Sequence, residues 1–311
     1  MGGQIALAFA LGGRPVRLWG RSLEKSEQAR ARIAAALDWL AGEGLVAAAR
    51  IGEVLGRIEV TDDIGAAVRQ ADFVIEAVTE NLDLKRDVLA QAEEHAAGDA
   101  ILSSTTSAIS ATALQKNLER PGRFAVAHFA QPGHLMRLVE VVAGKATDAG
   151  VVDRVKAVLE GIGKVPVVAP DIPGFLWARI QHAILREFVY LVDRGLTTPE
   201  ACDKVLKEGY AVRLPMMGSF EHADLAGIDL MSSEATRTVW ADLSNERDPL
   251  ETSIGKLRKA GDLGMSSGKG YYDWQQRDAA RFRQQRDEEI VRRVKIQRGG
   301  TVVLAKKAAG E

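Results

Sequence analysis

The chain has 311 residues, enough for two domains, and its 46% hydrophobic and 27% charged residues are ordinary for a globular protein. Its 41 basic and 42 acidic residues nearly cancel, which excludes the charge excess typical of nucleic-acid binding or of anionic membrane surfaces. A single cysteine, Cys202, excludes an internal disulfide and a cysteine-based metal site, and we predict no metal site. No apolar run approaches the ~20 residues that span a bilayer, and the N-terminus lacks a basic secretory segment. We therefore expect a cytoplasmic protein with no membrane partner.

The first part of the chain alternates between predicted helices and predicted strands. Ile5, Ala8 and Phe9 give the opening helix an apolar face at helical spacing. Strands such as Phe73–Val78 are apolar on both faces, as a sheet covered by helices on both sides requires. Helices are predicted over 1–13, 24–45, 64–70, 84–95, 109–118 and 149–162, and strands over 16–19, 58–60, 73–78, 101–104, 124–128, 138–142 and 164–168. This order predicts a doubly wound α/β domain.

The alternation stops near residues 171–174, and the chain beyond is predicted to be helical. Leu176, Ile180, Ile184, Phe188 and Leu191 form an apolar stripe at helical spacing. We place the boundary at about residue 170, between an α/β domain (1–170) and an all-α C-terminal domain (171–311). The highly charged stretch 278–294 is predicted to be a solvated surface helix.

The N-terminus is typical of a dinucleotide-binding unit without its first element. Such a unit begins with a strand, the motif G-x-G-x-x-G, a helix and a second strand ending in an acid. This chain begins at Met1-Gly2-Gly3, directly at the helix, so the first strand and two glycines are missing from it. We expect a start codon placed too late, and an in-frame strand followed by G-x-G upstream. The alternative is a chain that has lost cofactor binding. If the chain does bind the cofactor, we assign Gly2 to the binding site.

The second strand of this unit ends in Trp19-Gly20-Arg21-Ser22, where a carboxylate would bind the adenosine ribose of NAD. Gly20 removes that acid, and Arg21 and Ser22 could instead hold the 2′-phosphate of NADP. Both cofactors stay open, with NAD favoured slightly over NADP.

Three polar groups follow or lie within predicted strands between residues 103 and 140: the hydroxyl of Ser107, the imidazole of His128 and the carboxylate of Glu140. A neutral imidazole has a reference pKa of about 6.5 and suits proton transfer near neutral pH. A carboxylate on its far nitrogen fixes the tautomer and stabilises the imidazolium. Glu140 within an apolar strand favours such a pair, because an unpaired buried carboxylate is costly.

The sequence resembles the 3-hydroxyacyl-CoA dehydrogenase family over nearly its whole length. The matching stretches are M-G-G-Q-I-A at the start, I-E-A-V-T-E-N-L-D-L-K at 75–85, S-S-T-T-S at 103–107, H-F-A-Q-P at 128–132, L-V-E-V-V-A-G-K-A-T at 138–147, D-I-P-G-F at 171–175 and G-M-S-S-G-K-G-Y-Y-D-W at 264–274. Their order and spacing together carry the resemblance.

The resemblance implies an N-terminal Rossmann domain, a helical C-terminal domain that forms a homodimer, and a role in fatty acid metabolism. Glu80 and Lys85 match residues that contact the nicotinamide-side ribose. Ser107 matches the serine that hydrogen-bonds the substrate hydroxyl, at the edge of the cofactor site. His128 matches the catalytic base, and Glu140 matches the carboxylate that orients it.

The chain departs from the family pattern where the substrate binds. Thr105 replaces an asparagine in the serine segment, and Ala178 replaces the asparagine that supports the substrate carbonyl. We assign Gln131 and Trp177 to the substrate site: Gln131 could reach in from the other side in place of that amide, and Trp177 could instead shape a different, more apolar pocket. His182, one turn beyond Ala178, is a further polar candidate.

These residues predict a dehydrogenase that oxidises a secondary alcohol with NAD or NADP, and a 3-hydroxyacyl-CoA is the first expectation for its substrate. The alternatives are a dehydrogenase of a free hydroxy acid or hydroxymethyl compound, as in other branches of the family, and a non-catalytic homologue. The lysines and arginines form no cluster that can be assigned to the phosphates of CoA.

Overall fold

The computed structural model describes residues 1–297 of the chain, which divide into two units. The first unit contains Met1–Arg179 and residues 285–297, and the second contains Ile180–Gln284. Residues 298–311, which the predicted C-terminal domain includes, lie outside the described part.

All strands of residues 1–297 lie in the first unit, and most of them match the predicted positions. The strands are β1 (Val16–Trp19), β2 (Ile58–Thr61), β3 (Phe73–Glu76), β4 (Ile101–Ser104), β5 (Phe124–Phe129), β6 (Leu138–Ala143) and β7 (Val165–Val168). The helices of this unit before residue 177 are α1 (Gly2–Leu11), α2 (Leu23–Gly42), α3 (Ile51–Gly56), α4 (Ile64–Val68), α5 (Leu82–His95), α6 (Ala111–Leu114) and α7 (Val151–Glu160). Side chains start several of them: Ser22, Asp63, Asn81 and Ser110 each accept a hydrogen bond from the first turn.

The strands form two sheets, β1-β2 and β3-β4-β5-β6-β7. β1 and β2 make up the smaller sheet, and β3 and β7 are the edge strands of the larger one. The predicted Rossmann-type α/β fold is therefore confirmed.

The pairing of β5 with β6 is antiparallel, whereas the other pairs are parallel. Residues 130–137 connect these two strands, and a parallel crossover needs a dozen or more residues. The register of this pair sets His128 opposite Glu140.

Helices pack on both faces of the larger sheet. Ile5 of α1 and Val155 and Leu159 of α7 cover one face, and Leu89 of α5 and Leu114 of α6 cover the other. The strand side chains between them are almost completely buried, for example Ala125, Val126 and Val141. Both faces are thus closed, and polar groups at the strand ends remain available for chemistry.

The tail helix α15 (Ala279–Gln297) packs on the first unit through one apolar edge. Val291 and Val294 are buried there, and Nζ of Lys295 lies 3.3 Å from Oε2 of Glu43. The prediction of a fully solvated helix is wrong for this edge. Three apolar residues at helical spacing, Ile290, Val291 and Val294, suffice to bury it among otherwise charged positions.

The second unit is helical, as predicted, and its apolar side chains are widely exposed. It contains most of α8 (Trp177–Asp193), then α9 (Pro199–Val205), α10 (Ala211–Arg213), α11 (Ser219–Ala226), α12 (Ile228–Met231), α13 (Glu234–Asp242) and α14 (Ser253–Ala260). Between residues 1 and 297, no helix is both long and apolar enough to cross a membrane.

Candidate active site

His128 and Glu140 form a buried hydrogen-bonded pair between β5 and β6. The His128 Nδ1 atom lies 2.8 Å from Glu140 Oε2, and the two side chains are 6% and 2% exposed. The antiparallel register places both side chains at the same level and on the same face of the sheet. The structure therefore brings together the two residues that the sequence assigns to proton transfer.

The second oxygen of Glu140 holds the start of α8. Oε1 accepts hydrogen bonds from the backbone N–H groups of Leu176 (2.8 Å) and Trp177 (2.9 Å). Sequence reasoning did not find these two donors, because they lie beyond the D-I-P-G-F turn. Both carboxylate oxygens of Glu140 are thus hydrogen-bonded, which offsets the free-energy cost of burying its charge.

This arrangement determines what the imidazole can do. A carboxylate accepts hydrogen bonds, so Nδ1 carries a proton and Nε2 of the neutral ring presents its lone pair. The ring of Phe175 packs against the imidazole with a centroid distance of 5.7 Å. A fixed imidazole with a free Nε2 is suited to accept a proton from an alcohol.

The loop that carries Ser107 is held by Glu80. Oε1 of Glu80 accepts hydrogen bonds from the hydroxyl of Thr106 and from the N–H groups of Ser107 (3.1 Å) and Ala108 (3.4 Å). Burial by itself raises the pKa of Glu80, but the Thr106 hydroxyl and the Lys85 ammonium outweigh it and hold that pKa below its usual value. Ser107 itself is exposed.

Lys85 lies in a buried ion network that sequence reasoning only partly found. Its side chain is 1% exposed, and Nζ lies 3.0 Å from Glu76 Oε1, 3.3 Å from Glu80 Oε2 and 3.2 Å from the carbonyl of Val78. Glu76 also accepts a 2.6 Å hydrogen bond from Ser104. The predicted ribose contact of Lys85 stays a prediction; in the described residues its ammonium group is enclosed by protein acceptors. Glu76 was detectable in the sequence as a charge inside the apolar run F-V-I-E-A-V.

Asp171, near the predicted end of the α/β domain, is hydrogen-bonded to the start of α6, the helix that follows the serine loop. Its carboxylate accepts hydrogen bonds from Ser110 (2.8 Å), Ala111 (2.7 Å) and Thr112 (2.9 Å). Burial alone raises the pKa of Asp171, but the hydrogen bonds from Thr112 and Ser110 outweigh it and lower that pKa. The acid of the D-I-P-G-F motif therefore stabilises the contact between this motif and the start of α6.

The residues assigned to the substrate are more open. Gln131 is exposed, and Trp177 is 42% exposed at the start of α8. Thr105 uses its hydroxyl inside the protein, where it accepts a 3.3 Å hydrogen bond from the N–H of Phe129. Thr105 thus joins the serine segment to the strand of His128 without presenting an amide to a ligand.

The cofactor residues lie at the carboxyl ends of β1 and β3, the edge at which open α/β sheets bind ligands. Gly2 starts α1, and a Cβ atom there would lie 3.6 Å from that of Ala77 beyond β3. No side chain caps the first N–H groups of this 10-residue helix, so they can face a pyrophosphate. Arg21 and Ser22 follow β1 and are exposed and half-buried, respectively. These residues fit a dinucleotide.

The fold and the polar groups at the ends of its strands define a nicotinamide-dependent dehydrogenase of hydroxyl groups. The chain belongs to the 3-hydroxyacyl-CoA dehydrogenase family. Residues 1–172 match the model of its NAD binding domain, and residues 174–274 match the model of its C-terminal domain. The resemblance found in the motifs is therefore confirmed, and the protein is an oxidoreductase.

Relatives of this chain act on two kinds of molecule. It is 33% identical to 5-formyl-3-hydroxy-2-methylpyridine 4-carboxylate 5-dehydrogenase of Mesorhizobium japonicum, over 94% of this chain and 93% of that protein. A crystal structure of an enzyme of this name, described as an NAD+ dependent dismutase, superposes with a TM-score of 0.87 and 32% identity over 96% of both chains. The chain is also 33% identical to a probable 3-hydroxybutyryl-CoA dehydrogenase of Bacillus subtilis, over 89% of this chain and 95% of that protein. The (S)-3-hydroxybutyryl-CoA dehydrogenase of Ralstonia eutropha superposes with a TM-score of 0.73 and 32% identity over 88% of this chain and 95% of that one.

Proposed function

We propose that the protein oxidises a hydroxyl group of a free small organic acid, without CoA, and transfers the hydride to NAD or NADP. Similarity along almost the full length of both chains to a dehydrogenase of a free pyridine carboxylate carries this proposal. Ala178 supports it, because alanine lacks the amide of the asparagine that supports the substrate carbonyl in the acyl-CoA enzymes.

In the proposed reaction, His128 Nε2 accepts the proton of the substrate hydroxyl. Glu140 Oε2 stabilises the imidazolium, while Oε1 stays bound to the amides of Leu176 and Trp177 and keeps the pair aligned. A bound nicotinamide would supply the acceptor for the hydride on the carbon that bears this hydroxyl. Ser107, held by Glu80, donates a hydrogen bond to the oxygen that becomes the carbonyl. In the reverse direction His128 returns the proton.

A 3-hydroxyacyl-CoA is the second candidate substrate. Relatives named 3-hydroxybutyryl-CoA dehydrogenase from Bacillus subtilis and Deinococcus radiodurans, at 33% and 34% identity, favour it. Both candidates use the same proton-transfer pair, so they differ only in what Gln131, Trp177 and their neighbours must recognise.

Steady-state assays separate the two substrate classes. Free hydroxymethyl and hydroxy acids, including hydroxymethylpyridine carboxylates, gulonate and carnitine, are compared with 3-hydroxybutyryl-CoA in the presence of NAD+ and of NADP+. The proposal predicts turnover of a free acid with a kcat/KM at least about tenfold above that of the CoA ester. Turnover of the CoA ester alone would establish the second candidate instead.

We also propose that the second unit binds a second copy of this chain and that the protein acts in the cytoplasm. Helices α11, α12 and α13 have no buried residue, and Phe220 and Trp240 are 90% and 75% exposed. Apolar side chains exposed at this density are typical of an interface. The single cysteine is consistent with a reducing compartment.

A further inference from the structure

At the adenosine end of the cofactor site, Gly20 replaces an acid, and the packing around it leaves no room for a side chain. Gly20 lies directly after β1, at the position from which an acid would bind the 2′-hydroxyl of the NAD ribose. A Cβ atom at Gly20 would lie 2.5 Å from Oγ of Ser26. No side chain fits at that distance while Ser26 keeps its place.

Ser26 is held firmly in that place. It is 2% exposed, and its hydroxyl donates a 3.1 Å hydrogen bond to the carbonyl of Thr61 at the end of β2. The N–H of Gly20 donates to the same carbonyl at 3.1 Å. A serine therefore occupies the space into which the acid would extend, and links α2 to β2. The absence of a carboxylate at residue 20 therefore follows from the packing of α2 against β1 and β2.

Beside this glycine lies a cation whose charge is not neutralised. Arg21 is exposed, and within residues 1–297 its guanidinium group has no hydrogen-bond or ion-pair partner. Lys25, one turn into α2, is exposed as well. By contrast, the guanidinium group of Arg17 on β1 forms an ion pair with Glu59 and donates a hydrogen bond to Gln70.

We infer that this end of the site binds a 2′-phosphate, so that the enzyme takes NADP(H) at least as well as NAD(H). A carboxylate would repel the 2′-phosphate, and Gly20 removes it. A guanidinium group binds phosphate oxygens through two parallel hydrogen bonds, and Arg21 supplies one at the adjacent residue. This inference rests on the proposed function only in that both require a dinucleotide in this domain.

Equilibrium titration of the chain with NADPH and with NADH, by calorimetry without any alcohol substrate, tests the inference. NADPH is expected to bind with a Kd equal to or below that of NADH. Arg21→Ala should weaken NADPH binding about tenfold or more and NADH binding by less than about threefold. Arg30→Ala removes the same charge from an exposed position farther along α2 and should change neither.

A second variant tests the role of Ser26. Gly20→Asp/Ser26→Ala makes room for the acid and should weaken NADPH binding about tenfold or more while NADH binding is kept or improved; Ser26→Ala alone is its control. The inference is overturned if NADPH does not bind, if NADH binds at least about tenfold more tightly, or if Arg21→Ala weakens both equally. Failure of every alcohol to be oxidised, with NADPH binding intact, would refute the proposed function and leave this inference standing.

Discussion

Glu140 holds two parts of the site at once: Oε2 lies 2.8 Å from His128 Nδ1, and Oε1 accepts the backbone N–H groups at the start of α8. The base and the segment that carries Trp177 are therefore aligned by one carboxylate. Because β5 and β6 pair in antiparallel register, the sheet itself sets the Glu140 carboxylate beside the imidazole of His128. Substitutions at Glu140 should thus affect both proton transfer and substrate position.

Glu140→Gln is expected to lower kcat about 10²–10⁴-fold while the protein stays folded. An amide nitrogen that donates to Nδ1 would leave the proton on Nε2, so the ring could no longer accept the proton of the substrate. The rate of hydride transfer at several pH values measures this effect. Glu94→Gln, an exposed position on α5, is the matched control. A wild-type rate for Glu140→Gln would mean that the pair is structural.

Lys85→Met is expected to lower the free energy of unfolding by about 3–5 kcal/mol, because Glu76 would be left as a buried charge without its cation. Glu76→Gln/Lys85→Met removes that charge and keeps an acceptor for Ser104, so it should recover a large part of the loss. Urea denaturation followed by circular dichroism gives the comparison, with Lys116→Met on the surface as control. If the double variant is no more stable than Lys85→Met, the stranded charge is not the cause.

His134 should remain neutral well below the reference pKa of a histidine side chain. Burial, assisted by the nearby ammonium group of Lys164, lowers the pKa of His134 to about 4. Since the folded-state pKa lies below the unfolded value of about 6.5, the stability linked to this residue is fully present above pH 6.5 and is lost as the pH falls towards 4. A proton NMR titration of the His134 ring signals measures this pKa directly. A midpoint near 6.5 for His134 would contradict the assignment.

The exposed apolar helices of the second unit predict a dimer that charge should disrupt. Phe220→Asp and Trp240→Asp would place carboxylates on the proposed interface, and each should convert the dimer to a monomer at micromolar concentration. Light scattering after gel filtration reports the mass. Leu23→Asp adds the same charge at a half-exposed leucine of the first unit and should leave the dimer intact. A wild-type protein that is monomeric would refute the proposed interface.

Local patterns predicted much of the α/β unit. Short, largely apolar runs bounded by polar or glycine residues identified β1 to β7, as expected for strands of a sheet that helices cover on both faces. Ser22 and Asp63 marked helix starts because their side chains cap the first turn. No pattern predicted α3, which has a single buried residue, Val54.

Long-range pairings were harder to predict. The resemblance named His128 and Glu140 as partners, but their hydrogen bond depends on the antiparallel register, which no local pattern shows. Glu76 and Lys85 were visible as charges, yet only the fold shows that they neutralise each other in a closed network. Likewise the steric conflict between Gly20 and Ser26 follows from how α2 packs on β1 and β2, so the sequence alone left NAD and NADP open.

Hydride transfer by His128→Gln in a single-turnover experiment tests the central claim most directly. With the best alcohol substrate and saturating cofactor, formation of the reduced nicotinamide should slow at least about 10²-fold, while cofactor affinity and the circular dichroism spectrum stay as in the wild type. His95→Gln, at an exposed position at the end of α5, should react at the wild-type rate. A His128→Gln rate within about threefold of the wild type would show that another group takes the proton and would contradict the account.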